Sequence, residues 1–369
     1  ELGLKSTVHE PTLYSGTVDG ESVLMARQVD DYAIGVANVD LGERLIKILD
    51  SKVTTASKGS GVHIEGKGLY YRYDGVDIFQ TRDYICLSAE TYLARLLRSH
   101  GWDKPGARET DDAERAALAP ELATTLQLLV GPAEGTPEHK ALEKDMGFSY
   151  RQLMGELVYA YVICRVDLGF AVTFLSRYNN APHRDHYHAL KNVCRYIRRH
   201  LERGLFFHRG NRPIASLPVG DFKFLEEDLQ LPPFPPASID VLTGYVDAAH
   251  ATDLKTRRSV SGSAVVLANA AISYKTKLQP VVATSSTEAE FIAAVAIAKD
   301  VKHLRSILVE LGIPIAMPTK ILMDNEAAIN MINDQRPTQR ARHIDIQHFA
   351  IQEWRAAGEI DMGHIPGII

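Results

Sequence analysis

The segment TGYVDAAHATD, residues 243–253, decides the fold of the C-terminal third of this chain. It predicts a short strand in which Tyr245 and Asp247 share one face. A hairpin follows, and then SSTEAEFIAAVAIAKDVKHLRSILVELG, residues 285–312, has the apolar spacing of an amphipathic helix. KILMD, residues 320–324, is a strand that leads Asp324 to the start of another helix. Residues 240–369 therefore predict the order β-β-β-α-β-α-α-β, an α/β domain.

Three carboxylates stand at related places in this order. Asp247 and Asp324 each end a strand, and a glutamate begins the long helix. Grouped carboxylates are the oxygen ligands that Mg²⁺ requires, and two ions about 4 Å apart can promote phosphodiester hydrolysis. Alone, Asp247 fits a surface position and Asp324 a helix N-cap. Their joint occurrence with an inward glutamate favours a metal site.

Helix geometry separates the two candidate glutamates. The row that starts at Glu290 continues through apolar residues at 294, 297, 301, 304 and 308, so Glu290 is expected to point toward the sheet. The row from Glu288 reaches Lys299 and Lys302, which are typical of a solvent face. Ser285 and Glu288 also have the spacing of a capping box, which gives Glu288 a structural role. Thr287 and Glu290 form an alternative box, so a capping role for Glu290 stays open.

The same block resembles the ribonuclease H domain of copia-type LTR retrotransposon Pol polyproteins. The matching strings are GYVDAAHATD, RRSVSGSAVVL, ISYKTKLQPVVATSSTEAEFIA, LMDNEAAI and RHIDIQHFAIQEW. This resemblance implies a mixed five-stranded sheet with helices, and it places Asp247, Glu290 and Asp324 on the metal-binding and catalytic carboxylates. It also implies two Mg²⁺ ions, with Mn²⁺ as an alternative, and endonucleolytic cleavage of RNA in RNA–DNA hybrids.

One part of the family pattern is expected to lie outside this chain. The fourth carboxylate of the family usually follows a strand of the form Y-I-P, and this sequence ends at HIPGII. Asp345 is the nearby substitute, as either a helix-start residue or a site residue. The chain also begins at Glu1 without a methionine, so we expect it to be a segment of a longer polyprotein.

The N-terminal blocks resemble the remainder of a copia-type reverse transcriptase. LMARQVDDYAIG, residues 24–35, is similar to the palm motif, with Gln28 where the family usually has Tyr. By this resemblance Asp30 and Asp31 are polymerase-motif aspartates, Asp30 being the stronger candidate ligand. Residues 77–102 resemble the primer-gripping hairpin and thumb, and residues 148–207 resemble the connecting helices. A polymerase needs a further aspartate from an earlier palm strand, so this chain alone is expected not to synthesise DNA.

The expected domains are a partial α+β palm and thumb (1–101), an exposed acidic connector (102–147), a helical connection (148–212), a Pro-rich linker (213–239) and the ribonuclease H domain (240–369). Local signals add a hairpin at Asp74-Gly75 and a helix from Ser88, as its N-cap, to Ser99. The connection is expected to hold three helices, at about 150–166, 168–178 and 182–201.

Candidate nucleic-acid contacts come from basic residues in two places. Ribonuclease H contacts to the hybrid backbone are predicted for Arg257, Arg258, Lys275 and Lys277, with Ser261 or Thr284 as hydrogen-bonding partners. The third connecting helix offers Lys191, Arg195, Arg198 and Arg199, which could neutralise phosphates. Ordinary solvated faces are the alternative for both sets.

The composition argues against several classes of protein but does not indicate a function. The formal net charge of −5 gives no global sign of nucleic-acid binding. The 3 cysteines show no metal-ligand or disulfide spacing, and no apolar run approaches the roughly 20 residues that span a bilayer. The expected partners are nucleic acid and the rest of the Pol polyprotein, with no membrane. The resemblance implies a cytoplasmic virus-like particle, or the nucleus, as the location.

Two other functions stay open at this stage. The chain could be a catalytically inactive remnant that binds nucleic acid. It could also be a 3′–5′ exonuclease, since such enzymes use a similar acidic cluster on a related fold.

Overall fold

A computed structural model of the chain describes residues 2–36, 39–52, 61–64, 68–81, 84–104, 116–208, 241–333 and 342–366. Within these ranges, helices and strands are mixed along the chain and the strands form three sheets. None of the described helices combines the length and the apolar character that crossing a bilayer requires.

The first sheet is an antiparallel meander with a helix on one face. It contains β1 (Lys5–Ser6), β2 (Leu13–Val18), β3 (Glu21–Gln28) and β4 (Asp31–Val36), in that order. Helix α1 (Val39–Asp50) follows, and its Leu41 and Leu45 pack with Val23 of β3. The β3–β4 hairpin turns at Val29 and Asp30, as the sequence predicts for the adjacent aspartates.

The second sheet has five antiparallel strands. The first four are β5 (Val62–Ile64), β6 (Gly68–Tyr73), β7 (Val76–Gln80) and β8 (Tyr84–Ser88). The hairpin at Asp74-Gly75 is confirmed, because Tyr73 pairs with Val76 across that turn. Helix α2 (Glu90–Ser99) begins one residue later than predicted. Ala89 is its N-cap, while the Ser88 Oγ accepts a hydrogen bond from the Glu90 N–H.

A helical core follows, and it corrects the prediction of an exposed connector over 102–147. Helices α3 (Pro120–Leu126) and α4 (Pro137–Met146) form there, and Ala123 and Leu126 are buried. Both prolines occupy the first turn of their helix, where no backbone N–H is needed and the fixed φ is helical. Residues 105–115 of the connector lie outside the described residues.

The three predicted connecting helices are observed with shorter bounds. They are α5 (Tyr150–Ile163), α6 (Gly169–Leu175) and α7 (Arg184–Arg199), with single 3₁₀ turns at Val166–Leu168 and Ser176–Tyr178. We call α3–α7 and the turns between them the helical part. Strand β9 (Gly204–His208) then returns to pair with β8 of the second sheet. The predicted thumb and connection segments therefore share one sheet.

The C-terminal block has the predicted order of elements. They are β10 (Thr243–Ala249), β11 (Val260–Leu267), β12 (Ala270–Leu278), α8 (Ser286–Glu310), β13 (Thr319–Met323), α9 (Glu326–Asn333), α10 (Arg342–Ala356) and β14 (Ile360–His364). The strands form a five-stranded sheet in the order β12-β11-β10-β13-β14. β10, β11 and β12 pair antiparallel, whereas β10, β13 and β14 pair parallel, so the expected mixed sheet is observed.

Long helix α8 covers one face of this third sheet. Its buried side chains include Phe291, Ile297 and Val301, and they pack with Val246 of β10 and Ile321 of β13. Alternate residues of β10 therefore point to α8, while Tyr245 and Asp247 are exposed on the opposite face. The edge at which β10 and β13 end is where the predicted carboxylates are found.

One close approach in the helical part can be tested by substitution. A Cβ on Gly131 would lie 2.0 Å from the Pro182 carbonyl oxygen, whereas a Cβ on Gly155, in helix α5, would meet nothing within 4 Å. We expect Gly131→Ala to lower the unfolding free energy by about 1–3 kcal/mol, because the backbone must shift. Gly155→Ala is the matched control and should be neutral or stabilising by up to about 1 kcal/mol. Denaturant unfolding followed by circular dichroism measures both, and equal effects would contradict the close approach.

Candidate metal centre

The parallel pairing of β10 with β13 brings two aspartates side by side. Tyr245 lies opposite Leu322 in this pairing. Asp247 and Asp324 each come two residues later, at the same end of neighbouring strands. Both residues are exposed. Parallel strands end at one edge of a sheet, so this register turns two positions that are distant in sequence into neighbours.

Helix α8 supplies the third carboxylate. One carboxylate oxygen each from Asp247, Glu290 and Asp324 lie within 4.8 Å of one another. Glu290 is only 4% exposed, and its Oε1 accepts a hydrogen bond of 3.0 Å from the Ala248 N–H. The Ala248 N–H therefore fixes the Glu290 carboxylate next to the end of β10, a contact that side-chain patterns in the sequence do not reveal.

The protonation of Glu290 reflects this crowding. The pKa of Glu290 is raised to about 7, first by burial and then by the negative charges of Asp247 and Asp324, while the Ala248 N–H acts in the opposite direction. Its Oε2 is buried, and no donor among the described residues reaches it. A buried carboxylate oxygen that accepts no hydrogen bond is stabilised by a proton or by a bound cation.

These features fit a divalent metal ion. Three carboxylates converge, and one of their oxygens is buried and unsatisfied, which is the donor set that hard cations bind. Asp247, Glu290 and Asp324 are the residues that could hold such an ion. Among the described residues they are the one group of three or more Asp, Glu, His or Cys side chains with this geometry.

Glu288 is buried as well, contrary to the expectation that its row faces solvent. Ser285 is the N-cap of α8, and its Oγ accepts a hydrogen bond from the Glu288 N–H at 3.1 Å. The Glu288 carboxylate accepts hydrogen bonds from the Thr284 N–H and hydroxyl rather than from the Ser285 N–H. Glu288 is thus satisfied within the helix start, and hydrogen bonding, not burial, distinguishes it from Glu290. The same contact engages the hydroxyl of Thr284, a predicted substrate contact.

The remaining predicted carboxylates are those of Asp345, Asp30 and Asp31. Asp345 belongs to the first turn of α10, and its side chain lies outside the described residues. Asp30 is exposed at the β3–β4 turn and Asp31 begins β4. In the described part of the chain, neither Asp30 nor Asp31 belongs to a group of three candidate ligands.

The predicted ribonuclease H contacts occupy two elements. Arg257 and Arg258 lie in the loop between β10 and β11, with Arg257 exposed. Lys275 and Lys277 are exposed on β12, and the Lys275 Nζ lies 2.6 Å from an Asp300 carboxylate oxygen on α8. Pairing places Lys275 and Lys277 on the α8 side of the sheet, away from the face that carries Asp247. Their contact with nucleic acid stays a prediction.

The four basic side chains of α7 that were predicted to bind phosphates are half-buried and make contacts within the protein. The Lys191 Nζ lies 5.4 Å from the ring centroid of Trp102. Arg195 donates a hydrogen bond to the Asn192 side chain at 2.6 Å, and Arg198 donates to the backbone oxygens of Trp102 and Lys104. Arg199 also has an interaction within the protein. Phosphate binding by this helix stays a prediction.

Comparison with known proteins shows similarity to transposon Pol polyproteins. The chain is 28% identical over 274 residues to the retrovirus-related Pol polyprotein from transposon TNT 1-94 of Nicotiana tabacum, covering 74% of this chain and 18% of that protein. It is 30% identical over 216 residues to the corresponding polyprotein from transposon RE2 of Arabidopsis thaliana, covering 58% and 13%. Over 58–74% of its length the chain is therefore similar to copia-type retrovirus-related Pol polyproteins from transposons. It spans less than a fifth of the Pol polyproteins that it matches.

Other similarities cover single regions. The chain is 33% identical over 144 residues to secreted RxLR effector protein 161 of Plasmopara viticola, covering 39% of this chain and 82% of that protein. Among solved structures, LC11-RNase H1 isolated from compost is 14% identical and covers 34% of this chain and 85% of that chain, with a TM-score of 0.27. RNase H1 from Halobacterium salinarum NRC-1 is 11% identical with the same coverage and a TM-score of 0.25. No protein-family model matches the chain.

The raised pKa of Glu290 predicts how stability depends on pH without metal. The folded state holds the Glu290 proton up to about pH 7, whereas the unfolded chain releases it near 4.5. The stabilisation from this proton is complete below pH 4.5 and is lost as the pH rises through 7. With a chelator present to remove metal, we expect the melting temperature of the unmutated chain to fall between pH 4.5 and pH 8. The fall should exceed that of Glu290→Gln over the same range by several degrees.

Added Mg²⁺ should reverse this loss at pH 8 in the unmutated chain only, because a bound cation replaces the proton. Differential scanning fluorimetry in matched buffers measures both effects. If the melting temperatures of the unmutated chain and of Glu290→Gln changed in parallel over the whole pH range, the raised pKa of Glu290 would be contradicted.

Proposed function

We propose that the C-terminal block is a ribonuclease H domain that hydrolyses the RNA strand of an RNA–DNA hybrid. The observation that carries this proposal is the convergence of Asp247, Glu290 and Asp324 within 4.8 Å, with one buried glutamate oxygen left without a donor. Similarity to retrotransposon Pol polyproteins and the mixed sheet order β12-β11-β10-β13-β14 support it. The cleavage is endonucleolytic and leaves 3′-hydroxyl and 5′-phosphate ends.

Each residue of the candidate centre has a distinct part in this reaction. Asp247 and Asp324, at the ends of paired strands, hold the metal ions, of which Mg²⁺ is the first choice and Mn²⁺ the second. When bound, such ions supply an activated water and stabilise the leaving oxygen. Glu290 contributes a ligand oxygen and orients the substrate 2′-hydroxyl, the group that distinguishes RNA from DNA. The Ala248 N–H keeps that carboxylate in place.

Other residues extend this proposal. Asp345 is the candidate for a fourth carboxylate within this chain, and Arg257 and Arg258 are candidates for phosphate contacts. Asp30 and Asp31 correspond to polymerase-motif aspartates, but a two-metal polymerase site needs a further aspartate from another strand. We therefore expect no DNA synthesis by this chain alone, and we propose a virus-like particle or the nucleus as its location.

A cleavage assay tests the proposal. The substrate is an RNA labelled internally, paired with DNA and blocked at both 3′ ends, in Mg²⁺. We expect internal cuts by the unmutated chain, and a loss on the order of 100-fold or more for Asp247→Asn and Glu290→Gln, because each removes a metal-binding charge. Glu288→Gln is the matched control and should stay within a few-fold, since its carboxylate contacts Thr284 instead of the centre.

The outcomes separate the rival functions. Cutting that requires a free 3′ end would indicate an exonuclease. Hybrid binding without cleavage by the unmutated chain would indicate a non-catalytic nucleic-acid-binding protein. Equal activity of Glu290→Gln and Glu288→Gln would contradict the assignment of Glu290.

A further inference from the structure

The loop between β10 and β11, residues 250–259, joins the candidate metal centre to the helical part. We call it the Asp253 loop. It begins three residues after Asp247 and carries Arg257 and Arg258. Asp253 is fully buried at its side chain, which is unusual for a charged residue in a surface loop.

Asp253 determines the conformation of the loop. Its Oδ1 accepts hydrogen bonds from the Lys255 N–H at 3.0 Å and from the Thr256 N–H and hydroxyl at 2.6 and 3.0 Å. The Arg257 N–H donates to the Asp253 carbonyl, and the Asp253 N–H donates to the Arg258 carbonyl. Arg257 has a φ of 56°, a left-handed conformation that a side chain adopts at a cost. The orientation of both arginines therefore depends on Asp253.

The second oxygen of Asp253 faces the helical part. The Arg177 Nη2, from the 3₁₀ turn after α6, donates to Asp253 Oδ2. The Arg177 guanidinium also lies 5.7 Å from the ring centroid of Phe174 and 6.0 Å from that of Tyr178. A buried carboxylate needs a charged partner, so Arg177 is required for the buried position of Asp253.

A second residue of the helical part holds the same loop. The Gln127 side chain, directly after α3, donates to the Thr252 carbonyl at 3.1 Å and accepts from the Leu254 N–H at 2.7 Å. Gln127 is only 5% exposed. Gln127 thus binds the backbone on both sides of Asp253, and Arg177 binds its side chain.

The helical part also covers part of the sheet face that carries Asp247. Strand pairing aligns Asp247, Gly262 and Thr276 across β10, β11 and β12. Tyr274, two residues before Thr276, has its side chain on the same face, and its hydroxyl donates to the Tyr161 and Val162 carbonyl oxygens at 2.8 and 3.0 Å. The helical part and the metal centre therefore lie on the same side of the third sheet.

We propose that Arg177 and Gln127 are positioning residues for the hybrid-binding surface. They hold the Asp253 loop so that Arg257 and Arg258 contact phosphates next to the metal centre. The helical part is then a component of the ribonuclease site and not a spacer before it. This inference rests on the proposed function, since the ligand is the RNA–DNA hybrid.

The test measures hybrid binding apart from cleavage, in the full chain with Asp247→Asn. Fluorescence anisotropy over a series of salt concentrations gives Kd and the salt slope, which counts the phosphates neutralised. We expect Gln127→Met and Arg177→Met each to raise Kd by about tenfold and to reduce the slope by about 1 to 2. The double substitution Arg177→Met, Asp253→Asn avoids an unpaired buried charge and keeps the loop acceptor, so it gives the same readout if Arg177→Met fails to fold.

Two comparisons exclude a general effect. Arg151→Met is the matched control, because it removes one positive charge of the helical part from an exposed ion pair with Glu134. It should reduce the salt slope far less than Gln127→Met or Arg177→Met does. Arg257→Gln with Arg258→Gln should reproduce the loss, and adding Gln127→Met to them should have no further effect, because coupled residues are non-additive.

The outcomes distinguish the inference from the proposed reaction. Folded Gln127 and Arg177 variants that match Arg151→Met, or losses that add to those of Arg257→Gln and Arg258→Gln, would overturn the inference. The unmutated chain, with Asp247 intact, is then assayed for cleavage. The expected binding pattern together with no cleavage by that chain would support the inference and overturn the proposed reaction. No hybrid binding by the unmutated chain would overturn both.

Discussion

Mutual repulsion among three carboxylates is the constraint on which the candidate metal centre depends. Asp247 and Asp324 approach because β10 and β13 pair in parallel with Tyr245 opposite Leu322. A slip of one residue would turn one aspartate to the helix side of the sheet. The packing of α8 then sets Glu290 against both, and its pKa rises because that position is buried and negatively charged. The framework of sheet and helix thus holds together groups that would separate in solution, which is the preorganisation that cation binding requires.

Much of this arrangement follows from local sequence patterns. The alternation around Asp247 and the apolar row from Glu290 specify which faces these residues occupy, and both patterns agree with the structure. Glu288 is an exception to these patterns. Its helical row is polar and predicts exposure, yet Glu288 is buried and its carboxylate accepts a hydrogen bond from Thr284. The prolines of α3 and α4 suggested a connector because a proline inside a helix disrupts it, and only the helix boundaries show that they start the helices.

Contacts between distant segments were beyond prediction for a different reason. The pairing of β9 with β8 joins residues more than a hundred positions apart, and nothing in either strand specifies the other. Within the helical part, the Tyr196 hydroxyl donates to Asp167, 29 positions earlier in the chain. The fully buried Arg165 donates two further hydrogen bonds to Asp167, at 2.9 and 2.8 Å. These hydrogen bonds join the 3₁₀ turn before α6 to α7.

Strand β9 also bears on how the chain responds to proteolysis. Its last residue, His208, donates its N–H to the Ala268 carbonyl at the β11–β12 turn, at 2.8 Å. Together with the contacts of Tyr161 and Arg177, this bond joins the helical part to the third sheet through residues outside 209–240. A protease that cut within 209–240 would therefore produce two polypeptides that remain associated as a non-covalent heterodimer, with Asp253 and its partners at the subunit boundary. In such an assembly the three carboxylates of the candidate metal centre would belong to one subunit, and Gln127 and Arg177, which contact the Asp253 loop, to the other.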